Sequence, residues 1–113
     1  MGDLWGEIQE CIRLLDLALI EAKTRGDAMV KAEADYYTAK AIAAFELKEK
    51  HYPVTLIEMV IKGVPEVTEK MTAYHAAQVE YENAREARQC YKKKLDTLRE
   101  QYAREWGRAG IGD

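Results

Sequence analysis

His51 and His75 are the two histidines of this chain and Cys11 and Cys90 its two cysteines, the residue types best suited to metal binding or nucleophilic work. A metal held on one helical face needs ligands three or four positions apart, as in His-x-x-x-His or Glu-x-x-His. Neither histidine stands in such a pair. His51 instead falls at the end of a long helical stretch, where a partly positive imidazole complements the helix dipole. The chain holds no Gly-x-Ser-x-Gly, no phosphate-cradling glycine loop and no Cys-x-x-Cys. Folding the chain back on itself near residue 58 leaves the two sulfurs roughly 20 Å apart, far beyond disulfide reach. Cys11 reads as a core residue and Cys90 as a partly exposed one. The reading is non-enzymatic, with no metal and no cofactor.

One cluster has a ligand that matches its chemistry. Residues 85–108 carry Arg85, Arg88, Lys92, Lys93, Lys94, Arg99, Arg104 and Arg108 against Glu86, Asp96, Glu100 and Glu105, a net of +4. Tyr91, Tyr102 and Trp106 are interleaved, and aromatics among basic residues are what a groove for single-stranded nucleic acid uses. Arg85, Arg88, Lys92, Lys93, Lys94 and Arg99 are therefore the candidate nucleic-acid contacts. A solvated or ion-paired helix face is the competing explanation. Residues 1–25 carry five acids and three bases, net −2, and antiparallel folding lays them against the basic stretch. The tyrosines also fall on an apolar stripe, where a core role suits them, with the hydroxyl at the rim.

These residues are positioned by two long helical patterns. Residues 4–51 and 66–106 lack proline, and apolar residues recur every three or four positions through both. The first stripe is Leu4, Ile8, Ile12, Leu15, Leu19, Ala22, Met29, Ala32, Tyr36, Ala43 and Leu47. The second is Val67, Met71, Tyr74, Tyr81, Ala84, Tyr91, Leu95, Leu98, Tyr102 and Trp106. Gly26 interrupts the first at a cost of about 1 kcal/mol against alanine, and a bend is expected there. Asp27 with Lys31, Glu46 with Lys50, Glu66 with Lys70 and Glu100 with Arg104 have the favourable i,i+4 order.

The segment between the arms, 52–65, holds both prolines. Tyr52 precedes Pro53 and is pushed out of helical geometry, which ends the first arm. Thr55-Leu56-Ile57-Glu58 matches a capping box, predicting a short helix from Leu56. Gly63 is expected to close it in the left-handed conformation, with Pro65 opening the second arm. Three glycines in 107–113 predict a flexible tail. Trp5-Gly6 and Trp106-Gly107 meet at the open end, where an aromatic plug would stop fraying. The prediction is all-α: one domain over 1–106, a long antiparallel two-helix hairpin (arm 4–51, tip 52–65, arm 66–106) assembling into a multi-helix bundle.

Two stretches are apolar on more faces than a hairpin covers. Leu14 and Leu17 point away from Ile12, Leu15 and Leu19 on a helical wheel, so Ile12, Leu14, Leu15, Leu17, Leu19 and Ile20 are the predicted self-association surface. At the tip, Leu56, Ile57, Met59, Val60 and Ile61 surround a helix whose polar positions share one side. They either fold back on their own hairpin or meet a partner.

Composition sets bounds. The chain has 113 residues and a formal charge of −3, so neither polyanion binding nor an acidic tail is dictated. Apolar residues are 48%, but the bulky ones are few, near the lower edge for a self-sufficient core. The alanine-rich balance suits long helices that approach closely. The start lacks the basic, apolar pattern of a signal peptide, and no apolar run reaches membrane-spanning length. A soluble, cytoplasmic protein with no membrane partner is expected.

The strings Tyr52-Pro53-Val54-Thr55-Leu56-Ile57 and Gly63-Val64-Pro65-Glu66-Val67, with the closing Arg104-Glu105-Trp106, resemble a group of small proteins of phages and prophages of Gram-positive bacteria. The likeness covers roughly residues 46–106; the first arm shares only helical character. It implies a long helical hairpin with a proline-bounded tip, a bacterial host cell, and genes often near recombination and single-strand-binding functions. It supplies no catalytic motif. The expected function is a non-enzymatic phage or prophage protein acting through protein–protein contacts, as a homo-oligomer of hairpins or on another phage or host protein. The alternative is a nucleic-acid accessory factor in recombination or replication that binds single-stranded DNA through the basic arm.

Overall fold

A computed structural model describes the backbone of residues 3–112 and the side chains of residues 3–107. It contains α1 (Asp3–Glu49), α2 (Val54–Val60), a 3-10 turn (Ile61–Gly63) and α3 (Pro65–Gly112). No strand occurs among the described residues. The all-helical class read from periodicity is what the chain adopts.

Buried and half-buried positions of α1 follow a regular count. Leu4, Ile8, Cys11, Leu15, Ala18, Ala22, Arg25, Met29, Ala32, Tyr36, Ala39 and Ala43 are all shielded, in alternating steps of four and three. That is the 3.5-residue seam of heptad packing. The predicted stripe is corrected at one point: Leu19 is exposed, and the small Ala18 is buried in its place. Leu19 lies one step around the helix from the seam that Leu15 and Ala22 define. On α3, Val67, Tyr74, Tyr81, Arg88, Leu95 and Tyr102 are shielded at intervals of seven, and every predicted stripe residue there is at least half-buried except Trp106. Gly26 does not break α1. A Cβ there would lie 3.2 Å from Cε1 of Tyr81, so glycine lets that ring close on the helix.

Contacts gather into two compact units, Met1–Lys23 with Glu82–Asp113, and Thr24–Tyr81. In the first, Leu4, Ile8 and Cys11 of α1 form a core with Leu95 and Leu98 of α3, flanked by Ile12, Leu15 and Tyr102. The Cys11 thiol donates to the Tyr91 carbonyl at 3.4 Å, which sets Cys11 beside the neighbour of Cys90 and corrects the expected separation of roughly 20 Å. The arms pair in a different register from a fold-back near residue 58, and both thiols are nonetheless free. In the second, Ala43 and Leu47 of α1 pack with Ile61 and Val67. Within each unit partner numbers fall on α3 as they rise on α1, so the two segments run antiparallel.

The ends of the elements differ from the sequence rules in an informative way. α1 stops at Glu49, two residues before the predicted 51. His51 takes a left-handed conformation (φ 66°). The Tyr52 N–H donates to the Leu47 carbonyl at 3.2 Å and the His51 N–H to the Lys48 carbonyl at 3.0 Å. These are the two bonds of a Schellman cap, made here with histidine where glycine is usual. The capping box is not formed: α2 starts at Val54, and Thr55 lies inside it. Pro53 itself supplies the entry, its carbonyl accepting from Leu56 and Ile57, both at 3.0 Å. Gly63 is not left-handed. The residue after it, Val64, must be extended to precede Pro65, and it is (φ −68°, ψ 125°), so the chain tightens into a 3-10 turn instead. Pro65 opens α3 as expected. The Thr68 hydroxyl donates to the Lys62 carbonyl at 2.8 Å and ties that turn to α3.

α3 continues to Gly112, beyond the predicted end at Trp106; Asp113 and the side chains of 108–112 lie outside the described residues. None of the four predicted i,i+4 pairs closes into an ion pair. The pairs that form include Glu10 with Arg13, at 3.0 Å through Nε, and Arg25 with Glu80 at 2.7 Å.

Candidate functional site

Chemistry-bearing side chains do not converge. Among the described residues no group of three or more His, Cys, Asp or Glu is arranged to hold a metal. Cys11 is buried and Cys90 exposed, both as free thiols. His51 serves a helix end, and the His75 ring lies beside Tyr74 at 5.8 Å. The surfaces, rather than any cleft, carry the functional information.

The basic residues lie on the outside of the first unit. Arg85, Lys92, Lys93, Lys94 and Arg99 are exposed and Arg88 is half-buried on the seam. Arg85, Lys92 and Arg99 are each seven residues apart, so they form one line along α3, with steps of about 10.5 Å. Trp106 is the next residue on that line. Among the described residues no carboxylate holds any of these cations in an ion pair. The side of α3 next to the line carries Glu82 and Asp96, and neither carboxylate closes on a neighbouring cation. Of the competing explanation, the ion-paired form has no contact to support it, and the exposed positions leave a solvated face beside a nucleic-acid contact as the two readings.

At the end of the line three aromatic rings meet. Trp5 lies 5.6 Å from Tyr102, and Tyr102 lies 6.1 Å from Trp106 in an edge arrangement. Tyr102 is half-buried, while Trp5 and Trp106 are 55% and 63% exposed. The expected plug is therefore built around the tyrosine, and both indoles remain more than half exposed.

The predicted self-association residues divide. Ile12 and Leu15 are half-buried against the first core, and Leu14 is half-buried. Leu17, Leu19 and Ile20 are exposed. The tip divides too. Ile61 is buried, and Ile57 and Val60 pack against Ala43, Leu47 and Val67. Leu56 is exposed, and Met59 is 76% exposed. The tip's own unit thus covers three of the five residues.

A surface missed in the sequence lies on α1 in the second unit. Val30, Tyr37 and Phe45 are exposed, the last two by 55% and 62%. With Ala34 and Ala41 they repeat in steps of three and four on the side away from the buried seam. The signal was the alternate count 30, 34, 37, 41, 45, hidden because alanine suits any helix position. Beside it, Tyr37, Lys40, Ala41 and Ala44 of α1 and Ile57, Glu58, Ile61 and Lys62 of the tip line a groove of 620 Å³. A second groove of 440 Å³ is of mixed character, lined by Asp35, Thr38, Ala39 and Ile42 of α1 and Glu66, Glu69 and Lys70 of α3. The solvent side of α3 in the same unit carries Glu66, Thr68, Glu69, Lys70, Thr72, His75 and Glu80, with Pro65, Ala73, Ala76 and Val79 as its exposed apolar residues.

In the second unit, Tyr74 donates from its hydroxyl to Glu33 at 2.9 Å and accepts from Gln78 at 3.0 Å. The hydrogen bond to Glu33 raises the Tyr74 phenol above its ordinary pKa, with desolvation and the Glu33 charge adding to it. Tyr36 stacks on Tyr74 at 6.0 Å, and the Lys40 ammonium lies 5.6 Å above the Tyr36 ring. These contacts join α1 to α3 and serve the fold. No helix among the described residues is long and apolar enough to cross a membrane. Compared with protein families, with curated proteins and with solved structures, the chain matches none.

Proposed function

We propose that this chain is a non-enzymatic interaction protein that works as a homo-oligomer of antiparallel helical hairpins, with α1 forming the contact between copies. The observation that carries the reading is the asymmetry between the long helices. The solvent side of α1 is apolar at Val30, Tyr37 and Phe45 in one unit and at Leu17 and Leu19 in the other, while that of α3 is largely polar. A helix with apolar residues on opposite sides calls for cover on both. The intramolecular cores are small, five buried residues in one unit and four in the other, and small cores leave stability to be supplied by association. The heptad spacing of the seam suits helices wound with a left-handed supercoil, so a bundle of such hairpins is the natural assembly. Origin in a phage or prophage and action in a bacterial cytoplasm complete the reading and rest only on the resemblance of the tip strings and the closing Arg104-Glu105-Trp106.

Two double variants test the contact. Tyr37→Glu with Phe45→Glu, and Leu14→Glu with Leu17→Glu, each place charges on one stretch of α1 and should lower the mass in light scattering while the helical signal in circular dichroism stays. A wild-type mass retained in both variants would remove α1 from the contact.

A further inference from the structure

We propose that the Arg85–Lys92–Arg99 line and the Trp5–Tyr102–Trp106 cluster at its end form a binding site for single-stranded nucleic acid. The site lies wholly in the unit of Met1–Lys23 and Glu82–Asp113, and the proposal goes beyond the oligomer reading without resting on it. Three cations at heptad spacing, none held by a carboxylate among the described residues, present evenly spaced charge to a phosphate backbone. Such contacts give affinity without sequence preference. The indoles supply what a purely electrostatic surface lacks. Trp106 is on the line itself, and both indoles are more than half exposed beside Tyr102. An unstacked base has a free π face to lay on them. A duplex keeps its bases stacked inside and gains only the cations. Glu82 and Asp96 beside the line weaken the attraction, so the affinity is modest and falls as salt rises.

The chain's two tryptophans are both in this site, so intrinsic fluorescence reports on it directly. Titration of the full chain with a twenty-residue oligothymidylate at 20 mM salt should quench tryptophan emission and raise the anisotropy of labelled oligonucleotide along one curve. The logarithm of affinity should fall with the logarithm of salt with a slope of about −2, three phosphates neutralised on a single strand. Arg85→Glu, Lys92→Glu and Arg99→Glu together should abolish both signals, and the three glutamine substitutions, milder for the fold, should weaken binding at least tenfold. Trp106→Ala should weaken it about tenfold with the slope unchanged. The proposal is overturned by an absence of quenching and anisotropy change at low salt, or by binding that survives the glutamine set. Equal affinity for a duplex of the same length, or equal competition by polyglutamate, would also overturn it, reassigning the line to a duplex or an acidic protein.

Discussion

His51 holds a conformation that costs an ordinary residue about 1–2 kcal/mol, because Cβ crowds the following carbonyl. The Schellman bonds from Tyr52 and His51 back to Leu47 and Lys48 keep it there. Glycine takes the same conformation without that crowding, so His51→Gly should raise stability by about 1 kcal/mol in chemical unfolding; no gain would mean that the imidazole contributes something the backbone does not show. Tyr74 gives a pH-dependent test. Its folded pKa is raised by Glu33, so the folded chain holds the proton more tightly than the unfolded one. The contribution is complete below the unfolded value near 10 and is lost as pH rises through the higher folded value. The alkaline decline in stability should be shallower in Tyr74→Phe. An identical decline would assign it to other groups. The residue scale was only partly legible in the sequence. The apolar stripe of α3 was readable because its large side chains mark the seam without ambiguity. Ala18 and Leu19 were inverted because hydrophobicity ranks leucine first, whereas close helix packing selects the small residue.

At the scale of elements the tip shows which local rule prevails when two compete. Thr55-Leu56-Ile57-Glu58 has the letters of a capping box, yet Pro53 starts the helix two residues earlier with its own carbonyl, because its fixed φ already prepares the first turn. Pro65 likewise forces Val64 to be extended, and the chain answers with a 3-10 turn, not a left-handed glycine. Pro53 and Pro65 mark the starts of α2 and α3, whereas α1 stops two residues before the predicted 51 and α3 runs past the predicted 106. The side-chain caps were illegible because they depend on which backbone groups remain unsatisfied. Thermal unfolding should separate the two threonines. Thr68→Val removes the bond to the Lys62 carbonyl and should cost about 0.5–1.5 kcal/mol. Thr55→Ala should leave stability unchanged or slightly raised, since alanine is the better helix former. A large loss at Thr55 would restore the capping box.

At the scale of the molecule, what decides function is which surface has no reason to remain in water. The seam of α1 is satisfied within the chain. Its other side, with Tyr37, Phe45 and Leu17 each more than half exposed, is not. Burying one such side chain contributes roughly 1.5–3 kcal/mol, and several together suffice to favour association at micromolar concentration. The sequence revealed this need over 12–20, where leucines crowd, and concealed it over 30–45, where alanines fill the gaps between Val30, Tyr37 and Phe45. The most direct test is light scattering of the unmodified chain across a dilution series from high to low micromolar. The mass of a dimer or a larger assembly is expected at the upper end. A chain that stays monomeric at high micromolar concentration would contradict it, and the apolar side of α1 would then have no role in joining copies.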